Sequence, residues 1–484
     1  MRGFLASSIG VVAAAALAVP LVFAAPALAE SAPETPTGST RSLPLVPLGP
    51  EVVRGSGVPG LHPSRTQPET RGLTAREVEK FSLVGVVWDD AGAELVGRVQ
   101  VRTRDARTAL WSDWQDVEIH NSDHGADPDA AERGSGRVRG ATAPLWVGES
   151  DGVEVRVTAD TDTDAAGHTG TGTGPDTGPD SDPQTGTGRA PARLPSGLRI
   201  ELIDPGMPTT AAGDAKNGTF PDGDDKGENA APGMSMATAE SSSANVPMAP
   251  MGADEIKALN KADSTADAVY AGDAVPNAAA APYIGPRPRI VTRKGWGANE
   301  SLREPGFVYT RTVKAAFVHH SASGNNYACK DAPAVLRSLY RYHVVSSGWR
   351  DFGYNFAVDK CGTVYEGRAG GVAKAVLGAH TMGFNTDSMG VVVLGTYSRT
   401  APPAPALDAV ARLTAWKLGL FNRDPRARTT LVSGGGNRYP KGRAVAMNVI
   451  SGHRDGFATE CPGKLLYGKL PPTRTASAKL QGRP

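Results

Sequence analysis

Two polar tracts divide this 484-residue chain and limit which parts of it can form a packed core. The first, residues 158–193, is rich in Thr, Gly and Asp, and the second, residues 207–283, is rich in Ala, Gly and Ser. Such compositions bury too little apolar surface to offset the entropy of ordering the chain. We therefore expect a disordered insertion at 158–193 and a flexible linker at 207–283, with one short helix near 253–259.

The pattern of the region before the linker, residues 41–206, predicts a β-rich domain. Apolar and polar residues alternate there over several short stretches, and helical periodicity is scarce. A period of two is typical of strands with one buried face. We predict an all-β, sandwich-like or jelly-roll-like domain that carries the insertion. The stretches are residues 81–88, 99–102, 153–157 and 198–202.

The region after the linker, residues 284–475, alternates strand and helix signals, and a tail at 476–484 follows it. Asp331 can cap a helix that has Pro333 in its first turn, and apolar residues follow at helical spacing. Strands at 313–318 and 390–394, a hairpin at 355–366 and a helix at 407–420 complete the pattern. This order predicts an α/β domain, a mixed central sheet flanked by helices.

Charge is distributed unevenly between the two halves. Residues 284–484 carry 29 Lys and Arg against 11 Asp and Glu, a net charge of +18, whereas residues 1–283 carry −17. A cationic domain implies an anionic partner or surface, although solubility alone is the simpler explanation. The acidic first half could also dock against the cationic second half.

The N-terminus is typical of a secretory signal. Arg2 is followed by an apolar stretch at 9–25 and by the small-residue pattern Ala27-Leu28-Ala29, which predicts a signal peptide over 1–29. An uncleaved anchor is the alternative. No later apolar run approaches the roughly 18 residues of a membrane helix. We expect a secreted protein with no stable membrane insertion, for which anionic wall polymers are a better partner than nucleic acid.

Four residues of the C-terminal region are candidates for metal binding. His319 and His320 stand at the end of a buried strand, and His453 and Cys461 share a glycine-bearing loop. Two imidazoles and a thiolate form a known catalytic zinc set that leaves the fourth position to water. On spacing alone, a buried structural histidine or a buried inert cysteine is the commoner explanation.

Six sequence motifs that occur in order along the chain strengthen the interpretation of these residues as metal ligands. Together they resemble the peptidoglycan recognition protein family, whose fold is shared with type-2 amidases and phage T7 lysozyme, over about residues 289–464. The resemblance implies Zn²⁺ ligands at His319, His453 and Cys461, assistance to the reaction from Tyr354 and Thr459, and a structural role for His320. The motifs lie at residues 296–298, 317–321, 348–356, 364–368, 378–381 and 383–385.

Further residues are candidates for the substrate groove. We predict that His343, Arg368, His380 and Asn385 contact the substrate, with Arg368 suited to a carboxylate. A structural role is an equal alternative for each of them. Glu366 is a weak candidate for a general base, and more simply a residue that holds the backbone.

Cys329 and Cys361 remain. Family members often join the loop after the paired histidines to the following helix by a disulfide, but the close cysteine spacing is missing here. The resemblance together with export therefore implies a Cys329–Cys361 disulfide, and two buried thiols are the alternative.

The resemblance implies an N-acetylmuramoyl-L-alanine amidase, a zinc hydrolase of the amide between N-acetylmuramic acid and L-alanine in peptidoglycan. Receptors of the family that have lost activity typically replace the cysteine ligand, so Cys461 favours an enzyme. The alternatives are a peptidoglycan-binding receptor and a structural wall anchor. For the β-rich domain, glycan binding, autoinhibition and a spacer role all stay open.

Overall fold

The computed structural model describes residues 38–49, 68–119, 124–160, 193–207, 234–270 and 283–484. The predicted signal peptide and most of the predicted insertion lie outside these residues. Within the described ranges, no helix combines the length and apolarity that a membrane span requires.

The N-terminal domain is an antiparallel sheet, in agreement with the predicted all-β class. Its path is β1-β8-β3-β7-β4-β5, with β2 and β6 also paired to β3. The alternating residues of the long strands β3 and β7 fill its core, which contains Val84, Val86, Val153 and Val155. The strands are β1 Ser39–Pro44, β2 Val46–Pro47, β3 Thr70–Trp88, β4 Gly97–Asp105, β5 Gln115–Val117, β6 Gly140–Ala141, β7 Leu145–Ala159 and β8 Arg199–Asp204.

The C-terminal domain has a seven-stranded mixed sheet, as predicted. The order is β17-β11-β14-β12-β13-β10-β9, with β15 and β16 forming a separate hairpin. Strand β11 lies parallel to both β14 and β17, whereas β12 and β13 form the expected antiparallel hairpin. The strands are β9 Glu255–Ile256, β10 Ile290–Val291, β11 Ala315–His320, β12 Phe356–Val358, β13 Val364–Glu366, β14 Ser388–Val393, β15 Arg428–Val432, β16 Ala444–Asn448 and β17 Ile450–Gly452.

Helices cover both faces of this sheet. One face packs against α4 and the other against α3, whose apolar residues Leu336 and Leu339 are buried. Asp331 stands at the N-cap of α3, but its carboxylate accepts a hydrogen bond from Ala328 N rather than from the helix. The helices are α1 Met236–Ser243, α2 Lys261–Tyr270, α3 Ala332–Arg341, α4 Ala404–Leu420, α5 His453–Gly456, α6 Lys464–Tyr467 and α7 Leu470–Gln481.

Ordered structure extends into the predicted linker and into the predicted tail. Within the predicted linker, residues 234–270 form α1, β9 and α2, and the predicted helix at 253–259 instead contains the strand β9, which pairs with β10. The predicted tail includes the end of α7, where Gln481 is fully buried and donates a hydrogen bond to Ala415 O. Local composition does not reveal this order, because it depends on tertiary contacts, such as the burial of Ile256 in the core and the hydrogen bond from Asn245 Nδ2 to Glu366.

The two domains share a hydrophobic core. Leu83, Val87 and Trp146 of the N-terminal domain belong to the same buried cluster as Leu336 and Tyr342 of the C-terminal domain. Tyr342 follows α3 in a π-helical turn, Tyr342–Ser346, and its hydroxyl donates a hydrogen bond to Thr142 O at 3.0 Å. Its approach requires glycine at position 85, where a Cβ atom would lie 2.4 Å from the tyrosine oxygen.

Candidate metal centre

Two adjacent parallel strands bring His319 and His453 together. Val318 in β11 is paired with Gly452 in β17, so His319, the next residue of β11, and His453, the first residue of α5, follow directly on paired positions. Their ring centroids are 4.5 Å apart, and both side chains are fully buried. The carboxyl edge of parallel strands is where α/β folds commonly place ligand sites.

Cys461 completes the predicted set. Its Sγ atom lies 3.7 Å from His319 Nδ1, in the loop between α5 and α6. Its backbone N–H donates a hydrogen bond to the Thr459 hydroxyl at 3.1 Å, which fixes Thr459 beside the same site. The Tyr354 ring lies 5.2 Å from that of His319. The structure thus assembles the five residues to which the resemblance gave metal and catalytic roles.

A fourth donor comes from the N-terminal domain. His124 Nε2 lies 4.0 Å from Cys461 Sγ, and its ring centroid is 4.5 Å from that of His453. Four ligand atoms, one from each of His124, His319, His453 and Cys461, lie within 4.8 Å of one another. Sequence reasoning missed His124, which stands 337 positions before Cys461 in a stretch rich in Asp, Gly and Ser that reads as an ordinary loop.

The donor set fits a zinc ion. Bonds of about 2.3 Å to sulfur and 2.0 Å to nitrogen place tetrahedral ligands about 3.3–3.5 Å apart, and Cys461 Sγ lies 3.7 Å from His319 Nδ1. His319 Nε2 lies 3.4 Å from the Thr381 hydroxyl, which leaves Nδ1 to face the other donors. Burial first, and then the neighbouring imidazoles, lower the pKa of His319 well below its usual range, so the ring is in the neutral form that binds metals.

His380 does not lie at the groove rim as predicted. It is fully buried behind His319, with ring centroids 5.3 Å apart, and its Nδ1 lies 3.1 Å from the Thr381 hydroxyl. It therefore supports the Thr381 contact to His319. A polar side chain that orients a ligand from behind has the same sequence pattern as one that lines a groove.

The other three predicted groove residues lie in two different places. His343, in the turn after α3, lines a pocket with Tyr354 and Thr459, and its Nδ1 accepts a hydrogen bond from Gly353 N. Arg368 and Asn385 are buried and contact residues 125–132 of the N-terminal domain.

Glu366 lies apart from the site and has a structural role. Its carboxylate accepts hydrogen bonds from Asn245 Nδ2 and Arg293 N, and burial raises its pKa to about 7. His320 Nδ1 accepts a hydrogen bond from Tyr397 N. The expected Cys329–Cys361 disulfide is present, with the Cα atoms 6.2 Å apart.

The fold and the site together define the class of protein: it has an α/β domain with a candidate metal centre at the carboxyl ends of its parallel strands. The N-acetylmuramoyl-L-alanine amidase family model matches residues 309–464, and the Rv3811 N-terminal galactose-binding domain-like model matches residues 30–187. The second match agrees with the all-β architecture of the N-terminal domain.

Named relatives agree with the first match. The chain is 31% identical over 183 residues to Drosophila simulans peptidoglycan-recognition protein SC2, covering 37% of this chain and 84% of that protein. It is 30% identical over 203 residues to the human N-acetylmuramoyl-L-alanine amidase, covering 41% of this chain and 30% of that protein. The structure of wild-type Drosophila PGRP-LB aligns with 26% identity and a TM-score of 0.30, covering 38% of this chain and 92% of that one. The chain belongs to the peptidoglycan recognition protein and N-acetylmuramoyl-L-alanine amidase family.

Proposed function

We propose that this chain is a zinc-dependent N-acetylmuramoyl-L-alanine amidase of peptidoglycan. The observation that carries the proposal is the cluster of His319, His453 and Cys461, three buried donors whose ligand atoms lie within 4.8 Å of one another. The name of the human relative and the matched family model support the same activity. Peptidoglycan as partner is supported by the names of the insect relatives.

The reaction divides between the metal and the chain's own side chains. A zinc ion held by His319, His453 and Cys461 would supply Lewis acidity and a water whose pKa is lowered to about 7. Tyr354 lines the pocket next to His319, and in this proposal its hydroxyl donates a hydrogen bond to the scissile carbonyl oxygen. The Thr459 hydroxyl oxygen accepts a hydrogen bond from Cys461 N. The hydroxyl proton of Thr459 therefore points away from that bond, and in this proposal it can be donated to the substrate as well.

The place of action follows from the sequence. The signal-like N-terminus supports export, and the net charge of +18 on residues 284–484 supports attraction to an anionic wall. Export to the wall brings the enzyme to its polymeric substrate. A recognition protein that holds peptidoglycan without cutting it is the second candidate, favoured by the names of the insect relatives.

The experiment measures muropeptide hydrolysis and metal content together. The full chain and its His124→Ala variant are loaded with zinc, stripped with a chelator, and reloaded. We expect each zinc-loaded chain to hold about one zinc. We expect at least the His124→Ala variant to release stem peptide, to stop when the chelator removes zinc and to resume when zinc is restored. Cys461→Ala in the His124→Ala background is the matched inactive control. Tight muropeptide binding without release from any zinc-loaded form would instead establish a recognition protein.

A further inference from the structure

Residues 124–132 of the N-terminal domain, the groove segment, lie across the face of the C-terminal domain that carries the metal centre. The backbone of Gly125 makes two hydrogen bonds, donating to Ala379 O at 3.2 Å and accepting from Asn385 Nδ2 at 2.9 Å. Asp127 Oδ1 accepts from Gly383 N at 2.8 Å and from Asn385 Nδ2 at 2.7 Å. The segment thus satisfies donors that a bound peptide would otherwise use.

The other end of the groove segment is held by a buried ion pair. Both oxygens of Glu132 accept hydrogen bonds from the Arg368 guanidinium, at 2.9 and 3.0 Å, and Glu132 Oε1 also accepts from Arg350 N. The two charged side chains are only 7% and 5% exposed. A two-pronged carboxylate contact is the binding mode for which a buried arginine is suited.

His124 brings the segment to the metal centre itself. A catalytic zinc site keeps one of its four positions for water or substrate, whereas a site closed by four protein ligands is structural. Here the three donors from the C-terminal domain leave one tetrahedral position, and the His124 imidazole offers a fourth ligand atom within 4.8 Å of each of them. With His124 bound, the position needed for hydrolysis is taken.

We propose, on the basis of the amidase function above, that the groove segment holds this enzyme in a latent form. His124 supplies the fourth metal ligand, Asp127 and Glu132 occupy polar groups of the substrate groove, and hydrolysis requires the segment to leave. The N-terminal domain stays attached in the open form, because its apolar core with α3 and Tyr342 does not involve the segment.

Cobalt substitution tests the fourth ligand without relying on activity. Visible absorption is recorded while azide is added to four Co²⁺-loaded proteins: the full chain, His124→Ala, Asp129→Ala and Cys461→Ala. Asp129 belongs to the same segment but is 65% exposed, so its removal is the matched control. We expect a thiolate-to-cobalt band in all forms except Cys461→Ala. We also expect azide to change the ligand-field bands of His124→Ala but not those of the wild-type chain or of Asp129→Ala. An equal azide response in the wild-type chain would overturn the fourth-ligand assignment.

Hydrolysis rates test latency. His124→Ala should release stem peptide at least tenfold faster than the wild-type chain, and Glu132→Gln, which keeps His124, should also be faster. Asp129→Ala should stay within about twofold of wild type. Equal rates in all four forms would refute latency and leave the amidase function standing. Zinc-loaded forms that all fail to hydrolyse would refute the amidase function, while the azide titration would still decide whether His124 is a ligand.

Discussion

The N-terminal domain contacts the C-terminal domain through two regions of different chemistry. One is the apolar contact, in which Leu83, Val87 and Trp146 share a core with α3 and Tyr342. The other is the groove segment, held by hydrogen bonds, the Glu132–Arg368 pair and His124. Water or substrate can replace the polar partners of the second region, but nothing in water replaces buried apolar area. The comparison teaches that attachment of the domain and access to the groove can be controlled separately.

The largest effect is expected from breaking the apolar contact. Leu83 is fully buried, and Leu83→Ala should lower the free energy of unfolding by about 2–5 kcal/mol, because it removes buried methyl groups and leaves a cavity. Leu110→Ala, at a side chain that is 70% exposed in the same domain, should change it by less than about 0.5 kcal/mol. Urea unfolding of the two full-length variants measures the difference. Equal, small changes would show that the shared core does not hold the domains together.

A contact of the predicted linker, between Asn245 just after α1 and Glu366 of the C-terminal domain, depends on pH. Burial raises the pKa of Glu366 from 4.5 to about 7, so its protonated form is favoured in the folded chain. Its contribution to stability is therefore complete below about pH 4.5 and is lost as the pH rises to 7, by up to about 3 kcal/mol. Glu366→Gln should flatten the decline of unfolding free energy between these values. An unchanged slope in this variant would assign the pH dependence to other groups.

Zinc removal should act on the groove segment and spare the apolar contact. Zinc at about 100 times its Kd stabilises a folded chain by about 2.7 kcal/mol. Because His124 joins the metal to the segment, a chelator should speed protease cleavage within residues 124–132, and added zinc should reverse this. The His124→Ala chain serves as the comparison, since its cleavage rate should hardly respond to zinc. Zinc-independent cleavage in the wild-type chain would separate the segment from the metal.

The smallest effect is expected at the exposed edge of the groove segment, where Lys441 pairs with Asp129. Both side chains are more than 60% exposed, so Asp129→Ala should weaken docking of the segment by only a few tenths of a kcal/mol. The difference should disappear in high salt. Protease cleavage of the segment at low and high ionic strength measures it, and a severalfold effect that persists in salt would mean that the edge contributes more than a surface ion pair.

Sequence reasoning predicted the two architectures because strand periodicity and helix spacing are local signals. His319, His453 and Cys461 could be identified because ordered motifs surround them. His124 could not, since its loop lacks any pattern that indicates a partner 337 positions away. The buried position of His380 and the order of α1 and α2 depend on tertiary contacts, such as those of Asn245 with Glu366 and Val372, that no local pattern records.

The most direct test of the amidase account follows the oxygen of water into the products. The zinc-loaded His124→Ala chain is incubated with a muropeptide in ¹⁸O-labelled water, and the fragments are weighed by mass spectrometry. The account predicts one ¹⁸O atom in the carboxylate of the N-acetylmuramic acid fragment and an unlabelled peptide with a free L-alanine amino group. Label in a peptide carboxylate, or an intact muropeptide, would contradict it.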